Sequence, residues 1–414
     1  MKKTIFLFVL IIISLNSYSQ PNWTKQTTGV SVYLNSIFFV NQNTGYCVGD
    51  NSTFLYTTNG GTNWNYRNIG TGTESLLKVF FINDTVGFVL YFNKVMRTTN
   101  RGVNWTTQTL GCFVKDISFR NVPDGIDGYI AGYNPSLNGV VYYSPNEGTN
   151  WVIVGDFQNK ELNTVDIPKD GTILVAGVGS FIARSTNYGL NWTQFNIGTV
   201  PLIEVDFPDT LTGYVCGGTI AKTTNGGLNW IGFTNPGSGM EMKSIHFPNP
   251  STGYCTGLGS EVEKRIQKTT NGGLNWTPIG YLYDTIVIMS TYFVNPTTGW
   301  VCGSYGTIRK TINGGVTSIN NISTGAPSTY SLHQNYPNPF NPSTIIRFQI
   351  KDSRFVRLYV YDILGKEVAT LVNEKINAGE YEITYNSNNL PSGVYFYKLE
   401  AGDFKETKKM VLIK

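Results

Sequence analysis

Asp166, Asp206 and His246 stand at the same internal position of three successive repeats, each 40 residues from the next. Paired carboxylates beside an imidazole are the groups that bind a cation or relay protons. The other repeats place Phe38, Phe80, Ser118 and Phe293 at this position. If it faces the centre of the array, the three polar groups meet there. The commoner use of such residues is hydrogen-bonded lining. A second set is basic: Arg97, Arg184, Lys222, Lys268 and Lys310 each precede one short repeated phrase, and Tyr56 and Tyr143 fill the other two copies. A ring of cations either attracts an acidic partner or lays its aliphatic stems along the fold. With two His and five Cys in 414 residues, the spacing of neither a nucleophilic triad nor a zinc site is present. No catalytic residue, metal ligand or cofactor is assigned.

The elements that must position these groups come from the phrase itself. It reads Thr57-Thr-Asn-Gly-Gly-Thr-Asn-Trp64 and recurs at 98–105, 144–151, 185–192, 223–230 and 269–276, with a seventh copy at 311–318 that ends in Ser318 instead of Trp. The Trp-to-Trp spacings are 41, 46, 41, 38 and 46 residues, a period that signals a repeat architecture. Within each period an alternating run (Asn35–Phe39), a Gly-aromatic run (Gly45–Gly49), a third run entering the phrase and a fourth opened by the Trp read as short strands. Four strands per roughly 40–45 residues make a propeller blade. The fold class expected is all-β: a seven-bladed propeller over 20–318, followed by a small Ig-like β-sandwich. In the phrase, Asn59 and Gly61 are the residues able to take φ > 0, and Thr57 can add a side-chain bond to the turn. Trp23 lies one period before Trp64 with no phrase ahead of it, so residues 22–28 are expected to supply the outer strand of the last blade and close the ring.

The phrase resembles the Asp-box (BNR) turn of sialidase-type propellers, with every Asp replaced by Asn: Asn59, Asn100, Asn146, Asn187, Asn225, Asn271 and Asn313. Together with the Gly-aromatic strands, the set is most similar to photosystem-assembly-factor-like propellers, over about residues 22–318. The resemblance implies that the boxes are structural and lie opposite the ligand face. That face is then built from the lead-in loops (71–77, 155–162, 235–242, 281–288) and the loops between second and third strands (134–138, 260–265). A sialidase activity would need an arginine triad, a Tyr nucleophile with its Glu, and an Arg-Ile-Pro-type motif. The motif is absent, and three of the seven propeller arginines adjoin or lie within boxes. A xyloglucanase-like arrangement joins two propellers and does not fit this length.

Composition narrows the partners. A formal charge of +4, dispersed along the chain, gives no case for nucleic acid. Beyond the first twenty residues no apolar run is long enough to span a membrane as a helix. Lys2-Lys3, then Ile5–Ile13, then Ser17-Tyr-Ser19 read as a signal peptide over 1–19. Cys47, Cys216, Cys255 and Cys302 all fall on second strands. The offset within the Gly-aromatic run pairs Cys216 with Cys255 and Cys302 with Cys47 across blade boundaries. The sheet-to-sheet spacing of about 10 Å favours buried thiols over disulfides.

Residues 319–330 are small and polar and read as a linker. Beyond them, Gln334-Asn-Tyr-Pro-Asn-Pro-Phe-Asn-Pro-Ser343, Val360-Tyr-Asp-Ile-Leu-Gly-Lys-Glu367, Leu390-Pro-Ser-Gly-Val-Tyr-Phe396 and Lys408-Lys-Met-Val-Leu-Ile-Lys414 are similar to the type A C-terminal sorting domain of the type IX secretion system over 331–414. The resemblance implies a Bacteroidota source, contact with the secretion machinery, and removal of the tail by a surface peptidase. It also implies a product that is surface-attached or released. The expected function is a secreted or cell-surface binding or scaffold propeller for a glycan or protein ligand, the alternative being a carbohydrate-active enzyme.

Overall fold

The structure is a computed structural model that describes residues 23–122, 125–233, 240–258, 265–279, 286–315, 319–323, 325–387 and 390–413. The expected signal peptide at 1–19, and most of the loops 235–242, 260–265 and 281–288, lie outside the described residues. The chain divides into two units, Asn22–Val316 and one containing Thr317–Lys414.

In the first unit, seven four-stranded antiparallel sheets form among the described residues. Their inner strands are Leu34–Phe39, Lys78–Phe81, Phe113–Val122, Leu162–Lys169, Leu202–Asp206, Glu241–His246 and Ile288–Phe293. Each touches the inner strand on either side and the seventh touches the first, so the sheets close into a propeller. The sheets are numbered as blades 1 to 7 in that order. Thr24–Gln26 pairs antiparallel with Ile308–Lys310, so the fourth strand of blade 7 comes from the start of the chain.

Large side chains between neighbouring sheets hold the ring. In five blades the aromatic of the second strand stacks on a Phe at or near the end of the next blade's inner strand: Tyr46 on Phe81, Phe88 on Phe119, Tyr214 on Phe247, Tyr254 on Phe293 and Trp300 on Phe39. Ring centroids are 3.4–4.5 Å apart. The glycine before each aromatic has a steric reason. A Cβ on Gly45 would sit 2.3 Å from the Phe39 ring, so only glycine lets that ring lie against the strand. Trp64, Trp151, Trp230 and Trp276 meet a Phe of their own blade edge-on, as Trp64 does Phe39 at 5.9 Å. Trp105 and Trp192 meet one of the preceding blade, and Trp23 meets Phe293 at 6.1 Å. Trp23 thus takes in blade 7 the place that a box Trp takes in blade 1.

The boxes form the turns that the composition of the phrase asks for. The Thr57 hydroxyl donates to Asn59 Oδ1 at 3.0 Å, Gly61 N–H donates to Thr57 Oγ1, and Asn63 N–H donates to Asn59 Oδ1. Asn100, Asn146, Asn187, Asn225 and Asn271 accept the corresponding backbone bond, while Asn313 accepts from Gly315. One expectation is corrected. The left-handed residues are Gly60 (φ 66°) and Gly61 (φ 87°), not Asn59, which acts through its side-chain oxygen. An amide oxygen serves that purpose without a charge.

The five cysteines are free and buried. Cys47 and Cys302 share one inter-blade core and Cys216 and Cys255 another, the neighbours read from the sequence.

In the second unit, two four-stranded sheets enclose one core. One runs Ile319–Ser323, Gly379–Asn386, Ser343–Ile350, Ser331–Leu332, and the other Glu367–Ile376, Arg354–Tyr361, Gly393–Ala401, Phe404–Leu412. Ile346, Phe348 and Ile383 face Val356, Leu358, Leu399 and Met410 across it. The stretch read as a linker is partly a strand, because Ile319–Ser323 finds an open sheet edge at Glu380–Ile383. The Gln334–Ser343 motif is tied down by buried Asn335, whose N–H donates to Tyr397 Oη and whose side-chain amide donates to Thr344.

Candidate functional site

Strand register sets the two faces of the propeller. Leu34 pairs with Gly49 beside the second-to-third-strand turn, whereas Phe39 pairs with Gly45, which pairs with Thr57 at the box. Each inner strand therefore runs from the turn face to the box face, and its alternate side chains point into the channel.

The third residues of the inner-strand motif are Ser36, Lys78, Asp116, Thr164, Glu204, Ser244 and Ser290. They form a belt that sequence reading missed. Six of them accept a hydrogen bond from the backbone of the next blade: Ser36 from Val79, Asp116 from Val165, Thr164 from Val205, Glu204 from Ile245, Ser244 from Thr291 and Ser290 from Ile37. Lys78 is the exception because an ammonium cannot accept. Ile117 N–H turns instead to Asp116 of its own strand. Lys78 Nζ lies 3.0 Å from both Asp116 and Glu204, bridging blades 2, 3 and 5. Burial opposes its charge, but the two carboxylates outweigh that and hold its pKa above the ordinary lysine value.

Two residues further on, towards the boxes, the structure brings Asp166, Asp206 and His246 together on one wall of a cavity of about 220 Å³. Asp166 accepts from Ile167 and Phe207 N–H and from the Ser118 hydroxyl, and Asp206 accepts from Phe247 N–H. His246 Nδ1 is 3.4 Å from Asp206, and its Nε2 is 3.0 Å from the Phe293 carbonyl. An acceptor on each side of the ring favours the doubly protonated form. Burial lowers the His246 pKa, but Asp206 raises it further, for a net rise. Asp166 is pushed up to about 7, first by burial and then by Asp206. The seventh member of this row is Tyr292, which stacks on His246 at 4.7 Å. It is not Phe293, which packs between blades 6 and 7. The expected alignment of blade 7 is therefore one residue out of register.

Both shifts have the same sign for stability. A carboxyl or imidazole whose folded pKa is raised gives stability at low pH that is lost as pH climbs through that pKa. Asp166 alone, moving from 3.8 to about 7, accounts for at most about 4 kcal/mol between those values. Asp166→Asn is therefore expected to flatten the decline in melting temperature from pH 5 to pH 8 relative to the parent. Parallel slopes in a thermal melt series would contradict the assignment.

The basic set does not form an outward-facing ring. Arg97 Nε donates to the Glu147 carbonyl, Arg184 Nε to Gly226 and Lys222 Nζ to Gly272, each in the next blade's box. Lys222, Lys268 and Lys310 lie 5.2–5.6 Å over Tyr214, Tyr254 and Trp300. Where Tyr56 replaces the cation, Arg67 stacks on its ring at 4.2 Å and reaches the Arg101 carbonyl of the next box. Burial lowers the pKa of Arg184 and Lys310. These cations staple neighbouring blades.

The turn-face mouth of the channel is a second cavity, of about 300 Å³, whose lining includes Asn35, Lys115, Asn163 and Lys243 above the Lys78 belt. The lead-in loop at 71–77 is self-bound: Glu74 accepts from Thr71, and the Ser52 and Thr71 hydroxyls hold its pKa down at about 2. Among the described residues, no three His, Cys, Asp or Glu side chains converge as metal ligands would. Nor is any described helix long and apolar enough to cross a membrane.

A propeller with a polar channel, box turns on one face and a separate C-terminal sandwich defines a BNR-repeat protein with an appended domain. Residues 15–196 match the family model described as photosynthesis system II assembly factor YCF48, and residues 334–414 match that of the secretion system C-terminal sorting domain. The propeller thus carries the repeat of the photosystem-assembly-factor type, and the tail is a type IX sorting domain that points to export, to the cell surface or the medium. No curated protein matches the chain. Among solved structures it is similar to one titled "YCF48 bound to D1 peptide", with 17% identity, TM-score 0.58, and coverage of 72% of this chain and 100% of that one. YCF48 from Cyanidioschyzon merolae gives 17%, 0.55, 70% and 98%. A streptogramin B lyase gives 11%, 0.59, 70% and 97%. At these identities the likeness shows the fold alone.

Proposed function

We propose that this protein is an exported binding propeller that takes a glycan or a protein segment at the turn-face mouth of its channel. One observation carries the reading. The deep polar groups are engaged in closing the ring, while at the mouth above them stand Lys115, over the Tyr133 ring, and Lys243, paired with Glu241. The sorting tail supports delivery to the surface through the secretion machinery, and YCF48 bound to D1 peptide supplies a precedent for a peptide ligand on this fold. The resemblance gives no ligand by itself, because function follows the site rather than the fold.

A glycoside-hydrolase reading draws on one feature, the carboxyl of Asp166 titrating near 7 beside Asp206. Against it, Asp166 accepts backbone N–H groups on both oxygens and Asp206 is held by Phe247 and His246, so neither is free to swing to a substrate. The test is a binding screen of the immobilised full chain against arrays of oligosaccharides and peptides. Saturable binding to one class is expected, weakened at least tenfold by Lys115→Glu with Lys243→Glu. No saturable binding, or binding indifferent to both charge reversals, would overturn the proposal.

A further inference from the structure

Two large aromatic side chains on the turn face occupy backbone positions that disfavour them. Phe92, in the turn between the second and third strands of blade 2, has φ 48° and is 63% exposed. Tyr305, in the same turn of blade 7, has φ 56° and is 67% exposed. The left-handed region is natural for Gly and tolerable for Asn, but it is an outlier for a bulky side chain. In blades 1 and 4 the same turn fills its left-handed slots with Asn51 and Ser52, and with Gly179 and Ser180. Burial cannot explain the aromatics in blades 2 and 7, since most of each ring faces water. Bulky residues at positive φ also stand in the box turns, at Arg101, Glu147 and Tyr188, so strain alone assigns no role. What sets Phe92 and Tyr305 apart is their exposure on the turn face beside other aromatic rings.

Each strained ring is also built into a platform. Tyr305 lies 6.5 Å from Tyr33, which leads into blade 1, and the Gly306 N–H donates to the Val32 carbonyl to fix the turn against that segment. Phe92 lies 5.0 Å from Phe113, which lies 5.3 Å from Tyr133, and Val114 N–H donates to the Phe92 carbonyl. Lys115 sits 5.3 Å over the Tyr133 ring, at the channel mouth. Leu137 in blade 3, half exposed with φ 62°, continues the rim. Two aromatic platforms therefore flank blade 1 on the turn face, one of them adjoining the channel mouth at Lys115.

We infer that this rim is a carbohydrate-binding surface for an extended oligosaccharide, an assignment that rests on the binding reading above and names its ligand class. A sugar ring presents a face of C–H groups that stacks on an exposed aromatic, while its hydroxyls reach neighbouring amines and amides. A protein partner places its dominant side chains in desolvated pockets. Neither the channel cavity nor its mouth is lined by Phe92, Tyr305 or the rings beside them.

The test uses the full chain and a glycan array of neutral and uronic-acid oligosaccharides, alongside a peptide array. The double variant Phe92→Asn, Tyr305→Asn relieves the backbone strain, so its melting temperature is expected to equal or exceed the parent's while oligosaccharide binding falls at least tenfold. Retained affinity in the folded double variant overturns the platform. If Lys115→Glu with Lys243→Glu still abolishes binding in that case, the mouth reading survives alone. Binding by the parent to peptides only also overturns it, and binding to neither array removes both readings together.

Discussion

Replacing Trp23 by alanine is expected to lower the unfolding free energy by about 3–5 kcal/mol, the range for truncating a buried large aromatic. The side chain is 5% exposed, its indole N–H donates to the Ile279 carbonyl at 2.9 Å, and its ring meets Phe293 edge-on. It anchors Thr24–Gln26 as the outer strand of blade 7, so the loss falls on the one place where the ring is closed by non-covalent pairing of distant segments. Trp151→Ala, in a blade whose four strands are contiguous in sequence, is the control and is expected to cost less. Urea unfolding of the two variants measures the difference. A Trp23 variant within 1 kcal/mol of the parent would mean that the seam is held elsewhere.

The second large effect is expected at Lys78. Lys78→Ala leaves Asp116 and Glu204 without the cation lying 3.0 Å from each, in a channel where Asp116 is almost fully buried. Removing one partner from such a cluster costs about 3–5 kcal/mol. Because the penalty is the charge on the orphaned carboxylates, the variant should recover stability relative to the parent as pH falls and they take up protons. The triple variant Lys78→Met, Asp116→Asn, Glu204→Gln is expected to lie closer to the parent than the single one. Equal penalties at pH 4 and pH 8 would show that the lysine acts by packing rather than by charge.

The repeat made much of this scaffold legible. Box, Gly-aromatic strand and edge-on Trp recur at fixed offsets, and the unpaired Trp23 pointed to the closing strand. The belt of third residues escaped notice because Ser, Thr, Asp and Glu look chemically unrelated along the chain. What they share is an oxygen that accepts the next blade's N–H, a property visible only once the inner strands stand side by side. Aligning each position two residues after Leu34, Leu76, Val114, Leu162, Leu202, Met242 and Ile288 would have exposed it. The same alignment places Tyr292, not Phe293, beside His246. The basic set was found by spacing, but its role was not, since the carbonyls it binds belong to the following repeat. The strained rings of Phe92 and Tyr305 carry no signal in sequence, because a turn with an aromatic reads like any other until its φ is known.

In the proposed function the propeller binds its ligand without cleaving it, and the channel carboxylates hold the ring together. Mass spectrometry of a defined oligosaccharide panel, incubated with the purified full chain at pH 5 to pH 8, tests that claim most directly. Every saccharide recovered intact, including those retained by the protein, is the result predicted. New reducing ends that vanish in Asp166→Asn or Asp206→Asn, with both variants folded, would contradict it and make those carboxylates the catalytic pair.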